Sequence, residues 1–188
     1  MNTTALVILA LVVVVVVIAI GLFVLMRRRR SESLLEQFGP EYKRAVDQYG
    51  DQGKAEAELA AREKRVRKLN IRALAPEERS RFADAWEKTQ ARFVDEPSKA
   101  VGEANGLVKE LMQARGYPVG DFEQRAADIS VDYPNVMTNY RAGREIALRN
   151  NSGKATTEDL RQAMVHYRSL FQELLETAEP TTPQEATR

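Results

Sequence analysis

The sequence predicts an all-α protein, with a single N-terminal transmembrane helix followed by a compact helical bundle. Three observations carry this expectation. From Ala5 to Met26 the chain holds only Ala, Val, Leu, Ile, Phe, Met and one Gly, with no charge. After Arg30, apolar residues recur at helical spacing in segments punctuated by Pro and Gly. No segment sustains the period-two alternation of a half-buried strand, so no sheet is expected.

The 22 apolar residues 5–26 make a helix of roughly 33 Å, long enough to cross a hydrocarbon core of about 30 Å. Val12 to Val17 are β-branched and weaken a helix in water, but in lipid the backbone has no other partner. A cleaved signal carries a basic start, a shorter apolar run and small residues before the cut. Here Met1 to Thr4 carry no side-chain charge, and Arg27, Arg28, Arg29 and Arg30 stand where a cut would fall. The segment therefore reads as an uncleaved anchor that engages the bilayer through residues 5–26. Positive flanks stay on the cytoplasmic side, so the N-terminus is expected outside and the C-terminal domain in the cytoplasm. The arginines serve as a stop that also lies against anionic headgroups. Gly21 is the only glycine of the span, so no GxxxG pair argues for tight dimerisation through it.

Residues 31–75 read as juxtamembrane short helices and one charged helix. "SESLLEQFGPEYKRAVDQYGDQG" holds two helical pieces broken at Gly39–Pro40. "KAEAELAAREKRVRKLN" is a charged helix with a thin apolar line through Leu59, Val66 and Leu69. Residues 76–177 read as the bundle, expected to fold without the anchor, with the charged helix as its most separable neighbour. Pro76 suits the first turn of a helix whose Phe82, Ala85, Trp86, Thr89 and Phe93 share a face. "FVDEP" breaks the chain and restarts it, with Asp95 or Glu96 at the cap and Pro97 in the first turn. The next stripe is Ala100, Val101, Ala104, Val108, Leu111 and Met112, ending at Gly116. A short helix over Phe122–Ile129 leads to Tyr133–Pro134, and another closes at "NNSG". The last opens at Thr156 or Thr157 and carries Leu160, Ala163, Met164, Tyr167, Phe171 and Leu174. Trp86, Phe82, Phe93, Leu111, Phe122, Ile146, Met164 and Phe171 are the expected core. Residues 178–188, polar and proline-containing, read as a disordered tail.

Composition removes several functions. Of the 28 Lys and Arg, 24 lie after Arg30 together with all 27 Asp and Glu, a net charge of −3. That balance does not suit nucleic acid. With no cysteine there is no disulfide, thiolate nucleophile or Cys-ligated zinc. His166 is the only histidine and sits roughly 120° from the centre of the last apolar stripe, a boundary position. No Glu-x-x-His pair or calcium-loop spacing appears. "GDQGKA" is not a phosphate-binding loop, since Gln48 and Ala55 stand where the pattern needs Gly and Ser or Thr. No catalytic, cofactor-binding or metal-ligating residue is assigned, and no cofactor is expected. The one patch with a charge of its own is Arg62, Lys64, Arg65, Arg67, Lys68 and Arg72, a candidate contact for anionic lipid or an acidic partner. Glu58–Arg62 and Glu63–Arg67 are i,i+4 pairs, which also suits a plain solvated face.

"FGPEY" at Phe38–Tyr42, Trp86, Gln90, "FVDEP" at Phe93–Pro97, "RGYP" at Arg115–Pro118 and "TEDLRQAMVHYRSLF" at Thr157–Phe171 resemble a family of uncharacterised bacterial proteins with an N-terminal membrane anchor and a helical soluble domain. The resemblance covers nearly all of the soluble part. It implies a membrane-associated bacterial protein and lends no site residues. The expected function is a membrane-anchored helical scaffold that binds another protein. The alternatives are a carboxylate-dependent enzyme and an anionic-lipid surface module. A deep polar pocket with convergent acids favours the enzyme, and a broad apolar groove the binder.

Overall fold

The computed structural model describes residues 3–176, and the tail expected over 178–188 lies outside the described residues. Among the described residues there are eight α-helices and no strand. The first, α1 (Thr3–Phe38), spans 36 residues without a break. It is long and apolar enough to cross a membrane, and its apolar residues from Leu11 to Met26 touch no other part of the protein. The sequence suggests a separate helical piece after the arginines, but the structure makes that piece the end of α1. Nothing between Arg30 and Phe38 is Gly or Pro, so the helix has no reason to stop until Gly39. There the backbone turns to φ +45° ahead of Pro40, a residue that disfavours helix in the one before it.

Helix α2 (Pro40–Tyr49) runs back and stops at Gly50 in the left-handed region, whose N–H donates to the carbonyl of Val46. The Asp51 carboxylate caps α3 (Gln52–Val66) by accepting from the Lys54 N–H at 2.8 Å. Pro76 and Pro97 open α4 (Pro76–Arg92) and α5 (Pro97–Ala114) in their first turns, as expected. Asp121 caps α6 (Phe122–Asp132). A short 3-10 turn at Pro134–Val136 leads into α7 (Met137–Asn151). Thr156 and Asp159 exchange hydrogen bonds at the start of α8 (Thr157–Glu176).

Two apolar clusters follow from these elements. The larger joins α4, α5, α6, α7 and α8, with Val108, Leu111, Met112, Tyr140, Tyr167, Leu170 and Phe171 at its centre. Trp86 of α4 stacks on Phe171 of α8 with ring centroids 4.5 Å apart. Of the expected core, Phe93 alone is only half-buried, because α4 ends at Arg92 and leaves it on the rim. The smaller cluster is Leu34 and Phe38 of α1, Ala45 of α2, and Ala55 and Leu59 of α3. The charged helix thus has a wider seam than its apolar line suggests, with Glu56 and Arg62 buried beside Leu59 and Val66. It packs on α6, where Arg65 Nε donates to the buried Asp128 at 2.7 Å. Leu74, in the linker after α3, belongs to the larger cluster.

Candidate functional site

The basic residues singled out in the sequence do not form one open patch. Arg62 is buried and pairs with Glu58 at 3.2 Å. Arg65 is taken by Asp128, and Arg67 pairs with Glu63. Arg72 makes a two-pronged pair with Glu78, both bonds 2.7 Å, and holds that carboxyl down to about 2. Lys64 and Lys68 are exposed and carry no ion pair among the described residues. The six charges are largely spent on the protein itself, holding α3 to α6 and the linker to α4.

The other basic run, Arg27–Arg30, is exposed on α1 and borders a junction that sequence patterning did not reveal. Glu56, buried on α3, accepts three hydrogen bonds on Oε1: from Ser31 of α1 at 2.6 Å, Tyr42 of α2 at 2.8 Å and Gln52 at 2.9 Å. A Cβ on Gly53 would lie 3.5 Å from the Arg27 guanidinium, so the start of α3 lies against the arginine run. Leu59, one turn on from Glu56, packs with Leu34 and Phe38. Helices α1 and α3 therefore run in the same direction from this junction, and Glu56 clasps three elements where the apolar span ends. No signal in sequence separates Glu56 from its neighbours Glu58 and Glu63, because three of its partners' elements meet only in the fold.

Burial pushes the Glu56 carboxyl up, but the bonds from Ser31, Gln52 and Tyr42 and the charge of Arg27 outweigh burial and leave it lowered. A carboxyl lowered in the folded state stabilises the protein above the unfolded carboxylate range, and that contribution disappears as pH falls through the folded value. Glu56→Gln is expected to cost about 1.5–3 kcal/mol at neutral pH, the range for hydrogen bonds to a charged group. The gap between wild type and variant is expected to close on acidification. Chemical unfolding of both proteins across an acid titration measures this, and a gap that does not change with pH contradicts the clasp.

No group of three or more His, Asp or Glu able to hold a metal exists among the described residues. His166 is half-buried, its Nδ1 3.2 Å from Asn139 Oδ1, with no acid or hydroxyl nucleophile in hydrogen-bond contact. An open cleft of about 840 Å³ between α2, α6 and α7 is lined in part by Glu41, Asp47, Glu123 and Arg141. Two of its three acids are engaged, since Arg141 pairs with both Glu41 and Glu123 at 3.1 Å. Two smaller grooves are more apolar. One, about 460 Å³, includes Leu74, Pro76, Ala83 and Leu175. The other, about 180 Å³, includes Phe93, Met164 and Val165, and Val94 projects nearby in sequence with 82% of its surface exposed. No protein-family model, curated protein or solved structure matches the chain. The geometry itself is what bears on function: an apolar helix built rigidly into a helical body that bears small apolar grooves.

Proposed function

We propose that this is a single-pass protein of the bacterial inner membrane, with its N-terminus outside and its helical body in the cytoplasm, acting as a scaffold that binds another protein. The observation that carries the reading is α1. Its residues 11–26 are uncovered by protein, whereas Leu34 and Phe38 near its other end are buried in the body. An apolar helix bare on every side needs lipid around it, and one unbroken into a core holds that core in a set orientation. Glu41 and Glu123, paired with Arg141 in the cleft between α2, α6 and α7, speak against the carboxylate enzyme, and exposed Val94 and Val165 beside half-buried Phe93 support a protein-binding surface.

The anchor also bears on the lipid alternative. The headgroup layer of one leaflet is roughly 5–8 Å deep, and Ser31 stands about 7.5 Å along α1 from Met26. The contacts of Gly53 with Arg27 and of Glu56 with Ser31 therefore bring the Tyr49–Gly53 turn to headgroup depth. Arg62 lies about 9 Å farther along α3, and Lys68 farther still. The lipid-facing surface is thus the Arg27–Arg30 run with this turn, while the Arg62–Arg72 residues face away from the membrane.

Four measurements test the proposal. The full chain is expected to stay in the membrane pellet after alkaline extraction. A C-terminal fluorescent fusion is expected to glow and an alkaline phosphatase fusion to be inactive; the reverse pattern moves the body to the other side. The chain has no cysteine, so Tyr49→Cys and Lys68→Cys each accept a single fluorophore. Lipids spin-labelled at the headgroup are expected to quench the dye at 49 strongly and at 68 weakly. Photo-crosslinkers at Val94 and Val165 are expected to give one discrete adduct in cells, and one at exposed Lys88 none. Absence of an adduct at both groove positions counts against the scaffold reading.

A further inference from the structure

We propose that Lys109, Arg125 and Arg144 form a binding site for an oxyanion of the phosphate class where α5, α6 and α7 meet. Each of these helices contributes one cation. The Phe122 ring organises two of them: the Arg144 guanidinium carbon lies 3.9 Å from its centroid and that of Arg125 5.8 Å. Arg125 is 95% buried, given its 5% exposure. It donates to neutral oxygens, from Nε to the Tyr140 hydroxyl at 3.0 Å and from one terminal nitrogen to the carbonyls of Val119 and Gly120 at 3.1 and 2.8 Å.

What sets the cluster apart is its missing acid. Elsewhere several arginines are paired with carboxylates, the partly buried Arg65 with Asp128 and Arg141 with Glu41, and the more exposed Arg72 with Glu78 and Arg149 with Asp159. Among the described residues no ion pair reaches Lys109, Arg125 or Arg144. Arg141, three residues before Arg144, has both Glu41 and Glu123, so those acids serve it instead. Burial, and after it the charges of Arg125 and Arg144, pushes the Lys109 ammonium down. Beneath them the hydroxyl of Tyr167 is buried with no hydrogen-bond partner, and the charges of Arg144 and Arg125 act on it. Gly143 lets that ring approach α7, because a Cβ there would stand 3.3 Å from Tyr167 Cζ. One turn before Lys109, a Cβ on Gly106 would meet nothing within 4 Å, so the α5 side of the cluster is open.

Like charges gathered at a half-buried point are unfavourable unless an anion joins them. A tetrahedral phosphate oxyanion, singly or doubly charged, suits the set. The planar fork of Arg144 matches a pair of its oxygens, the remaining terminal nitrogen of Arg125 can donate to a third, and the lysine ammonium supplies a point charge. The same phosphate chemistry is offered by a lipid headgroup and by a free phosphate, and the experiment separates them.

The test uses the full chain in maltoside micelles, which contain no phosphate, with ionic strength held constant by chloride. One arm adds inorganic phosphate and the other phosphatidylglycerol, and each reads the thermal midpoint. A saturable rise with phosphate assigns a free ligand, and a rise confined to phosphatidylglycerol assigns a headgroup. In chloride alone, Lys109→Met is expected to raise the midpoint by relieving repulsion, the opposite of what losing a structural lysine does, while abolishing the response to the anion. Arg144→Gln is expected to weaken binding by about tenfold or more, the scale of one charge-assisted hydrogen bond. Lys88→Gln, on an exposed face, is expected to leave both readings unchanged. No saturable response to either probe overturns the site, as does a response that survives in Lys109→Met and Arg144→Gln.

Discussion

Gly116→Ala is expected to lower stability by about 2–5 kcal/mol, adding the strain of a left-handed L-residue to that of overpacking. Gly116 has φ +94°, a conformation few side chains tolerate. A Cβ there would stand 2.2 Å from the carbonyl oxygen of Asn70 and 3.0 Å from its carbon. Both are backbone atoms, so no side chain can swing aside. The segment they belong to is tied down, since the Arg72 N–H donates to the Arg115 carbonyl at 3.0 Å and Leu74 is in the main core. Relief therefore requires the linker after α3 to lift from the end of α5, taking Leu74 out of its contacts. Denaturant unfolding measures the loss. Gly102→Ala is the control: its Cβ meets nothing within 4 Å, its backbone is helical, and Ala is the better helix former, so stability is expected to hold or rise slightly. A Gly116→Ala protein as stable as wild type means the linker does not sit against α5.

The helices were legible in the sequence because their signals are local. Pro76 and Pro97 in first turns, the helix start at Thr156 or Thr157, and the stripes of α5 and α8 each need only their own neighbours. The apolar span likewise declares itself by length and composition alone. What sequence could not show is what polar residues do across elements. Glu56 and Asp128 sit in charged stretches that resemble solvated surface, and their burial depends on Ser31 and Arg65, residues 25 and 63 positions away in the chain. The Arg62–Arg72 run stood out because like charges cluster in sequence, yet most of those charges find acids in the fold. Lys109, Arg125 and Arg144 gave no such signal, being scattered over three helices, and their lack of acids is a property of the packing. Continuity of α1 through the arginines was hidden by a change of composition without a change of structure.

A fragment of residues 76–188 is expected to lose cooperative folding, whereas residues 31–188 are expected to melt in one transition. The sequence alone points the other way, since the apolar line of α3 is thin. The structure adds three groups that the cut at Pro76 removes from the bundle. Arg65 is the first, and without it Asp128, 1% exposed, keeps only the Gln124 amide at 2.9 Å. The cut also takes away the helix that covers Asp128, so the loss is that of the ion pair together with the α3–α6 packing. Leu74 is the second, buried to 5% in the main cluster, and its loss removes roughly 1.5–3 kcal/mol of apolar burial. Glu41 is the third, leaving Arg141 with Glu123 alone. Against a typical domain stability of about 5–15 kcal/mol, losing the burial of Leu74 together with the α3–α6 packing suffices to unfold a marginal fragment. Circular dichroism melts of the two fragments decide the matter. Asp128→Asn placed in the long fragment separates the ion pair from the packing of α3, and is expected to keep a single transition at a lower midpoint. If the short fragment melts as cooperatively as the long one, α3 is an appendage and the bundle is complete without it.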